Sequence, residues 1–191
     1  MKDLYHFFNA ISPIQQRTWE ILEPIFSITT LKKGEYFIEE GRVAKKFGFL
    51  TSGVIRAFYR SEDGQEYNKH FFTENNMIGG FSSLISQLPS QINQQALTDC
   101  NMLVGNYKSL IDKLDDHQDL ERLLRKISEQ YFVDKEKREV EIVLLDASKR
   151  YAIFQDEYPN LEQIIPQYHI ASYLGITATQ LSRIRSKNRK A

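Results

Sequence analysis

Between about Ser27 and Tyr107 the apolar residues come in short runs: Tyr36-Phe37-Ile38, Phe47-Gly48-Phe49-Leu50, Val54-Ile55-Arg56-Ala57-Phe58-Tyr59 and Lys69-His70-Phe71-Phe72. Gly34-Glu35, Gly41, Ser52-Gly53 and Glu62-Asp63-Gly64 punctuate them. Short runs bounded by turn residues predict strands, and Asp63-Gly64 between two of them predicts a hairpin. A small β barrel or sandwich follows. From about Ser109 to Asp146 the pattern turns helical, with no proline or glycine between Tyr107 and Tyr158. Leu120, Leu124, Ile127 and Tyr131 fall on one stripe of such a helix. The stripe needs a partner, either the chain's own barrel or a matching helix from a second copy. A run of about 30 residues extends ~45 Å, more than a small barrel covers, which favours the second copy. Asp134 to Glu139 interrupts the stripe and reads as a solvated face. From about Ala147 the pattern is one of short helices, broken at Tyr158-Pro159-Asn160 and at Gly175.

The last of these helices carry the most specific pattern. Pro166 suits the first position of a helix, where a missing amide hydrogen costs nothing. Ile170, Ala171 and Leu174 form its apolar face, with Ala171 small enough for a close helix crossing. Gly175 can end the helix in the left-handed conformation. Thr177 with Gln180 three positions on is a capping box for a second helix. Leu181 and Ile184 turn inward, leaving Thr179, Ser182, Arg183 and Ser186 outward. Two helices joined by a tight glycine turn, the second polar and basic on its free face, form the unit that enters the major groove of DNA. The plainer alternative is a helical corner that only packs. Thr179, Gln180, Ser182 and Arg183 are the base-reading candidates; a guanidinium pairs bidentately with guanine, whereas Gln180 either addresses adenine or is consumed as a cap. Tyr168, Thr177, Arg185, Lys187 and Arg189 suit phosphate contacts.

Charge placement strengthens this reading. The net charge is zero, yet the 25 acidic residues all lie at or before Glu162, while Arg183, Arg185, Lys187, Arg189 and Lys190 follow it. A basic end on an acidic body points to an anionic partner for that end, although a solvated terminus has the same composition. With 191 residues, 41% of them hydrophobic, the chain can bury a substantial core. No apolar stretch reaches membrane-span length and the opening residues lack the order of a secretory signal, so the expected compartment is the cytoplasm. Cys100 is the single cysteine. It excludes an internal disulfide and a cluster held by four thiolates of one chain.

Leu31-Lys32-Lys33-Gly34-Glu35 followed by Glu40-Gly41, then Leu50 to Arg56, and Asp63-Gly64 with Glu66, resemble in order the turns of the cyclic-nucleotide-binding β-roll of Crp/Fnr regulators. Ile170 to Thr177 with Leu181-Ser182-Arg183-Ile184 resembles their DNA-binding unit. The resemblance spans almost the whole chain. It implies an α+β fold with an amino-terminal jelly-roll-like β-roll, a double-stranded β-helix, over residues 1–110. A dimerisation helix over 111–146 and a helix-turn-helix domain over 147–191 would follow. It implies a homodimeric transcription regulator that binds double-stranded DNA and engages RNA polymerase, with no resident cofactor.

The departures concern the ligand. Members that bind cyclic AMP carry Gly-Glu-Leu followed by an arginine with Ser or Thr. Here the corresponding residues are Ile78-Gly79-Gly80-Phe81-Ser82-Ser83, with Gly80 in the glutamate position and no arginine from Leu88 to Gln95. Without that charge-assisted partner a cyclic phosphate binds weakly, so the expected effector is not cyclic AMP. Gly79, Gly80, Phe81, Ser82, Ser83 and Gln91 form the candidate effector pocket, against the plainer reading of a turn. The familiar Arg-Glu pair of the recognition helix is Ala178-Thr179 here, so the target sequence should differ.

Two rival classes remain in view. Small barrels also house metal enzymes, but His6, His70, His117 and His169 are scattered and supply no metal-ligand cluster; a lone histidine could still hold haem. A ligand-binding module acting on a protein partner is the second rival, and the uncompensated positive charge of the last helix weighs against it.

Overall fold

The structure, a computed structural model, describes residues 1–188. Two helices, α1 (Lys2–Ile11) and α2 (Gln16–Leu22), precede the strands. The strands are β1 (Phe26–Leu31), β2 (Tyr36–Ile38), β3 (Lys46–Ser52), β4 (Ile55–Arg60), β5 (Glu66–Phe72), β6 (Asn76–Gly79), β7 (Asn93–Ala96) and β8 (Cys100–Asn106). They build two four-stranded sheets ordered β1-β8-β3-β6 and β2-β7-β4-β5, the jelly-roll-like arrangement expected from the sequence. Phe26 faces Gly105 and Leu31 faces Cys100 in the antiparallel β1/β8 ladder, and Phe47 to Leu50 pair on their other edge with β6. A short helix α3 (Phe81–Ser86) interrupts the strands, and α4 (Tyr107–Ile111) follows them. Then come α5 (Gln118–Leu144), α6 (Ala147–Glu157), α7 (Leu161–Ile164), α8 (Gln167–Leu174) and α9 (Ala178–Asn188).

The chain divides into two compact units, Met1–Ala57 with Phe71–Tyr131, and Phe58–His70 with Phe132–Ala191. In the first, Leu50, Ile55, Ala57, Phe72, Ile78, Ala96 and Met102 form a core from residues of both sheets. A second cluster joins Leu4, Phe8, Trp19 and Leu22 of the leading helices to Phe47, Phe49 and Leu103. Each fully buried Leu, Ile, Phe or Met among them contributes about 1.5–3 kcal/mol. At the β3–β4 turn Gly53 has φ +99°, and a Cβ there would lie 2.5 Å from the Asp99 carbonyl oxygen, so only glycine fits.

One expectation needs correction. The stripe of the long helix does not wait for a second copy along its first half. Leu120 is fully buried in the chain's own core, together with Leu123, and Leu124 and Ile127 pack against it. The leading helices, which the strand pattern gives no reason to expect, supply the surface that the barrel alone lacks. Apolar side chains left exposed on α5 lie further along: Phe132, Val133, Val140, Val143 and Leu144.

The second unit is built round aromatic contacts among α6, α8 and the segment between them. Phe154 lies 5.3 Å from Tyr158 and 5.7 Å from Tyr173, and Tyr158 meets Tyr173 edge-on at 5.9 Å. Ile170, Ala171, Leu174 and Leu181 are buried in the same unit. The tip of the β4–β5 hairpin belongs to this unit.

Candidate nucleic-acid interface and sensor region

The turn between α8 and α9 forms as the residues predict. Gly175 ends α8 with φ 66°. Pro166 stands one place earlier than expected, as the residue before the first helical position. The backbone amide of Thr177 donates to Gln180 Oε1 at 2.9 Å, and the Gln180 amide donates to Thr177 Oγ1 at 3.2 Å, a closed capping box. Buried Leu181 anchors α9, and Thr179, Gln180, Ser182 and Arg183 stand exposed along it.

These residues are not equivalent. The oxygen of Gln180 is engaged by the cap. Arg183 makes no hydrogen bond or ion pair among the described residues, so its fork is available. Tyr168 is exposed at the start of α8, with its ring 4.1 Å from that of His169. Lys187 is exposed, whereas the Arg185 guanidinium lies 3.8 Å from Glu162 and is partly covered. Glu162, the last acidic residue, also accepts from the Tyr151 hydroxyl at 2.6 Å. Burial and that bond push the Tyr151 hydroxyl up to about 12. Thr177 is exposed but spent in the cap, and Arg189 lies outside the described residues.

Several residues that position these helices carry no obvious sequence signal. Arg138 of α5 lies 3.9 Å over the Tyr173 ring, donates to the Tyr173 carbonyl at 2.7 Å and pairs with buried Glu141 at 3.2 Å. Arg150 of α6 donates to the carbonyls of Leu145, just past the end of α5, and of Leu174, at the end of α8. Buried Asn68 binds α8 from the hairpin tip, and its place as a polar residue at an inward strand position was the available clue.

In the candidate effector region, Gly79 ends β6 and Gly80 precedes α3. A Cβ on Gly80 would lie 3.0 Å from Ile38 Cδ1 and 3.4 Å from Ala44 Cβ, so a side chain there forces Ile38 to yield. Ser83 is buried; its hydroxyl accepts from the Ala44 amide at 2.9 Å and donates to the Leu88 carbonyl. Phe81, Ser82 and Gln91 are exposed. The structure thus places Gly79 and Gly80 beside Ser83, but Ser83 is consumed internally and Gln91 does not turn inward. Gln94 does: it donates to the Gly79 carbonyl at 3.0 Å. The buried arginine of the roll is Arg56 on β4, bonded to Gln95 Oε1 at 2.7 Å. These residues do not fit the glutamate-and-arginine cradle of a cyclic phosphate.

The cyclic nucleotide-binding domain family matches residues 28–117. Among solved structures, FixK2 from Bradyrhizobium japonicum superposes with a TM-score of 0.77 at 18% identity, covering 87% of this chain and 85% of that one. The c-di-GMP-responsive global regulator CLP of Xanthomonas campestris gives 0.70 at 16% identity, covering 92% of each chain. A Crp/Fnr-family structure from Eubacterium rectale gives 0.71 at 17%, covering 90% and 82%. Residues 28–117 thus resemble a cyclic nucleotide-binding domain, and the chain has the fold of the Crp/Fnr-family structures. Comparison with curated proteins finds no match. The Crp/Fnr-type fold explains why a β-roll, one long helix and a terminal helix pair occur in this order. At these identities it speaks for architecture, and function has to be argued from the residues. Among the described residues no helix is long and apolar enough to cross a membrane. No group of three or more His, Cys, Asp or Glu is placed to hold a metal ion among them either.

Proposed function

We propose that this chain is a sequence-specific DNA-binding transcription regulator that acts in the cytoplasm as a homodimer. The observation that carries the reading is the free face of α9, exposed, polar and basic, on a helix held by a glycine turn and a closed cap. In this reading Arg183 reads a guanine, Thr179, Ser182 and the free amide nitrogen of Gln180 approach neighbouring base edges, and Tyr168, Arg185, Lys187 and Arg189 meet the backbone, while Thr177 serves the cap. Arg185 must exchange Glu162 for phosphate, a switch that an anionic duplex favours. The role of CLP as a global regulator supports the same class of role here.

The division into a sensor roll over 1–110, a dimerisation helix over 111–146 and a DNA-binding domain over 147–191 is retained as a functional one. Val133, Val140 and Leu144 are spaced by seven and four positions, which sets them on one exposed face of α5 and suits a second copy. A small effector other than cyclic AMP and contact with RNA polymerase complete the proposal. It assigns no catalytic residue and no resident cofactor.

The test is selection from a random duplex pool by the purified protein at moderate salt. Enrichment of an inverted repeat with half-sites ~10 base pairs apart is the expected result. A folded dimer that enriches no sequence, with or without a metabolite panel, would overturn the reading.

A further inference from the structure

A cavity of about 260 Å³ lies against β2 and the loop that leads from it into β3. Its lining includes Tyr36, Phe37 and Val43 together with the cations Arg42, Lys45 and Lys46, and among the described residues Glu39 is the only acidic one in it. None of the three cations makes an ion pair or side-chain hydrogen bond among the described residues. Gathering like charges without partners is unfavourable, and an open loop could relieve it by splaying.

This loop is not free to do so. The Glu40 amide donates to Asn93 Oδ1 at 3.0 Å, the Gly41 amide to the Ser90 carbonyl at 2.8 Å, and the Ser90 amide to the Arg42 carbonyl at 2.8 Å. The Ala44 amide donates to Ser83 Oγ at 2.9 Å, and the Lys45 carbonyl accepts from the Tyr107 amide at 3.0 Å. Asn93, Ser90 and Ser83 are all buried. Polar groups of the region where a cyclic phosphate would sit in relatives of this fold are therefore spent on fixing a neighbouring loop that presents positive charge.

We propose that this cleft is a binding site for a small phosphomonoester with an apolar or aromatic body. Three cations against Glu39 leave a surplus of two positive charges, which matches the −1.5 to −2 that a phosphomonoester carries near neutral pH, approximately. Tyr36, Phe37 and Val43 offer the apolar contact, and the volume sits just under the ~300–1,000 Å³ of drug-sized ligand pockets. The site stands on its own geometry; that its ligand is also the effector rests on the regulator reading above.

Phenyl phosphate is the probe, titrated by calorimetry into the full chain at fixed ionic strength, beside inorganic phosphate and phenol. The expected result is saturable one-to-one binding of phenyl phosphate, with inorganic phosphate at least about tenfold weaker. The doubly substituted Arg42→Ala/Lys45→Ala protein, checked for an unchanged melting temperature, should bind phenyl phosphate at least about tenfold more weakly, while Lys113→Ala, outside the lining, should not. Absence of saturable binding up to about 10 mM, equal affinity for inorganic phosphate, or full binding by the double variant each overturns the proposal. No DNA enters the measurement, so its failure leaves the DNA reading standing.

Discussion

The side-chain amide of Asn68 donates a 3.0 Å hydrogen bond to the backbone carbonyl of His169 and lies 3.3 Å from Nδ1 of the same residue. One partner sits on the β4–β5 hairpin and the other in the first turn of α8. Ser172 completes the grip, accepting from the Asn68 backbone amide at 3.0 Å and donating to the Glu66 carbonyl at 2.8 Å. Asn68→Ala leaves buried acceptors unpaired and should cost ~1–3 kcal/mol. The check is the urea midpoint at constant slope, with faster amide exchange in α8. A loss within about 0.5 kcal/mol would mean that the grip is structurally idle.

His70 should give the fold a dependence on acid. Burial lowers its pKa to about 4, Lys69 and Arg138 add to the depression, and Asp134 opposes it. The ring meets the Tyr158 hydroxyl at 3.2 Å. A folded pKa below the unfolded value of ~6.5 means that stability is fully present above that value and drains as the pH falls toward 4, by up to about 1.4 kcal/mol per unit. His70→Gln should flatten that slope between pH 6.5 and 5. An unchanged slope would assign the acid sensitivity to other groups.

For Arg183→Ala the expected loss of DNA affinity is ~1–3 kcal/mol, with relaxed preference at one base pair. Repeating the duplex selection with the variant reads both. A uniform loss on every sequence would make Arg183 a phosphate contact.

Thr177→Ala removes the oxygen that satisfies the Gln180 amide. It should lower stability by ~1 kcal/mol, seen as a lower melting temperature. Thr177→Asp, which keeps an acceptor, should restore most of it.

A charge on the exposed face of α5 tests the dimer. Val140→Asp, at a side chain half exposed in the single chain, should leave the fold intact and shift sedimentation toward the monomer. DNA affinity should fall by at least about tenfold, because two half-sites are no longer bound as one.

How far the sequence could be read follows from these elements. The helix pair was legible down to its cap, because Gly175, Thr177 and Gln180 act locally. The strands from β2 to β5 were legible because glycine turns bound them. β8 was harder: residues 102–105 of Cys-Asn-Met-Leu-Val-Gly-Asn are all buried, so no alternation marks it. α1 and the true partner of Leu120 were missed because the partner is 100 or so residues away in the chain. The candidate pocket was legible only as composition. Whether a serine hydroxyl faces a ligand or a neighbouring amide is decided by tertiary packing, and Ser83 faces Ala44.

Arg150 has acceptors that are all main-chain carbonyls, at and just past the end of α5 and at the end of α8. The carboxyl end of α8 is thus referenced in part to peptide backbone, beside the side-chain contact of Arg138 with the Tyr173 ring. A change of a neighbouring side chain therefore removes no acceptor of Arg150, whereas a change at position 150 removes the donor to both carbonyls at once. A lysine there has a single nitrogen and cannot span both helix ends with a planar fork.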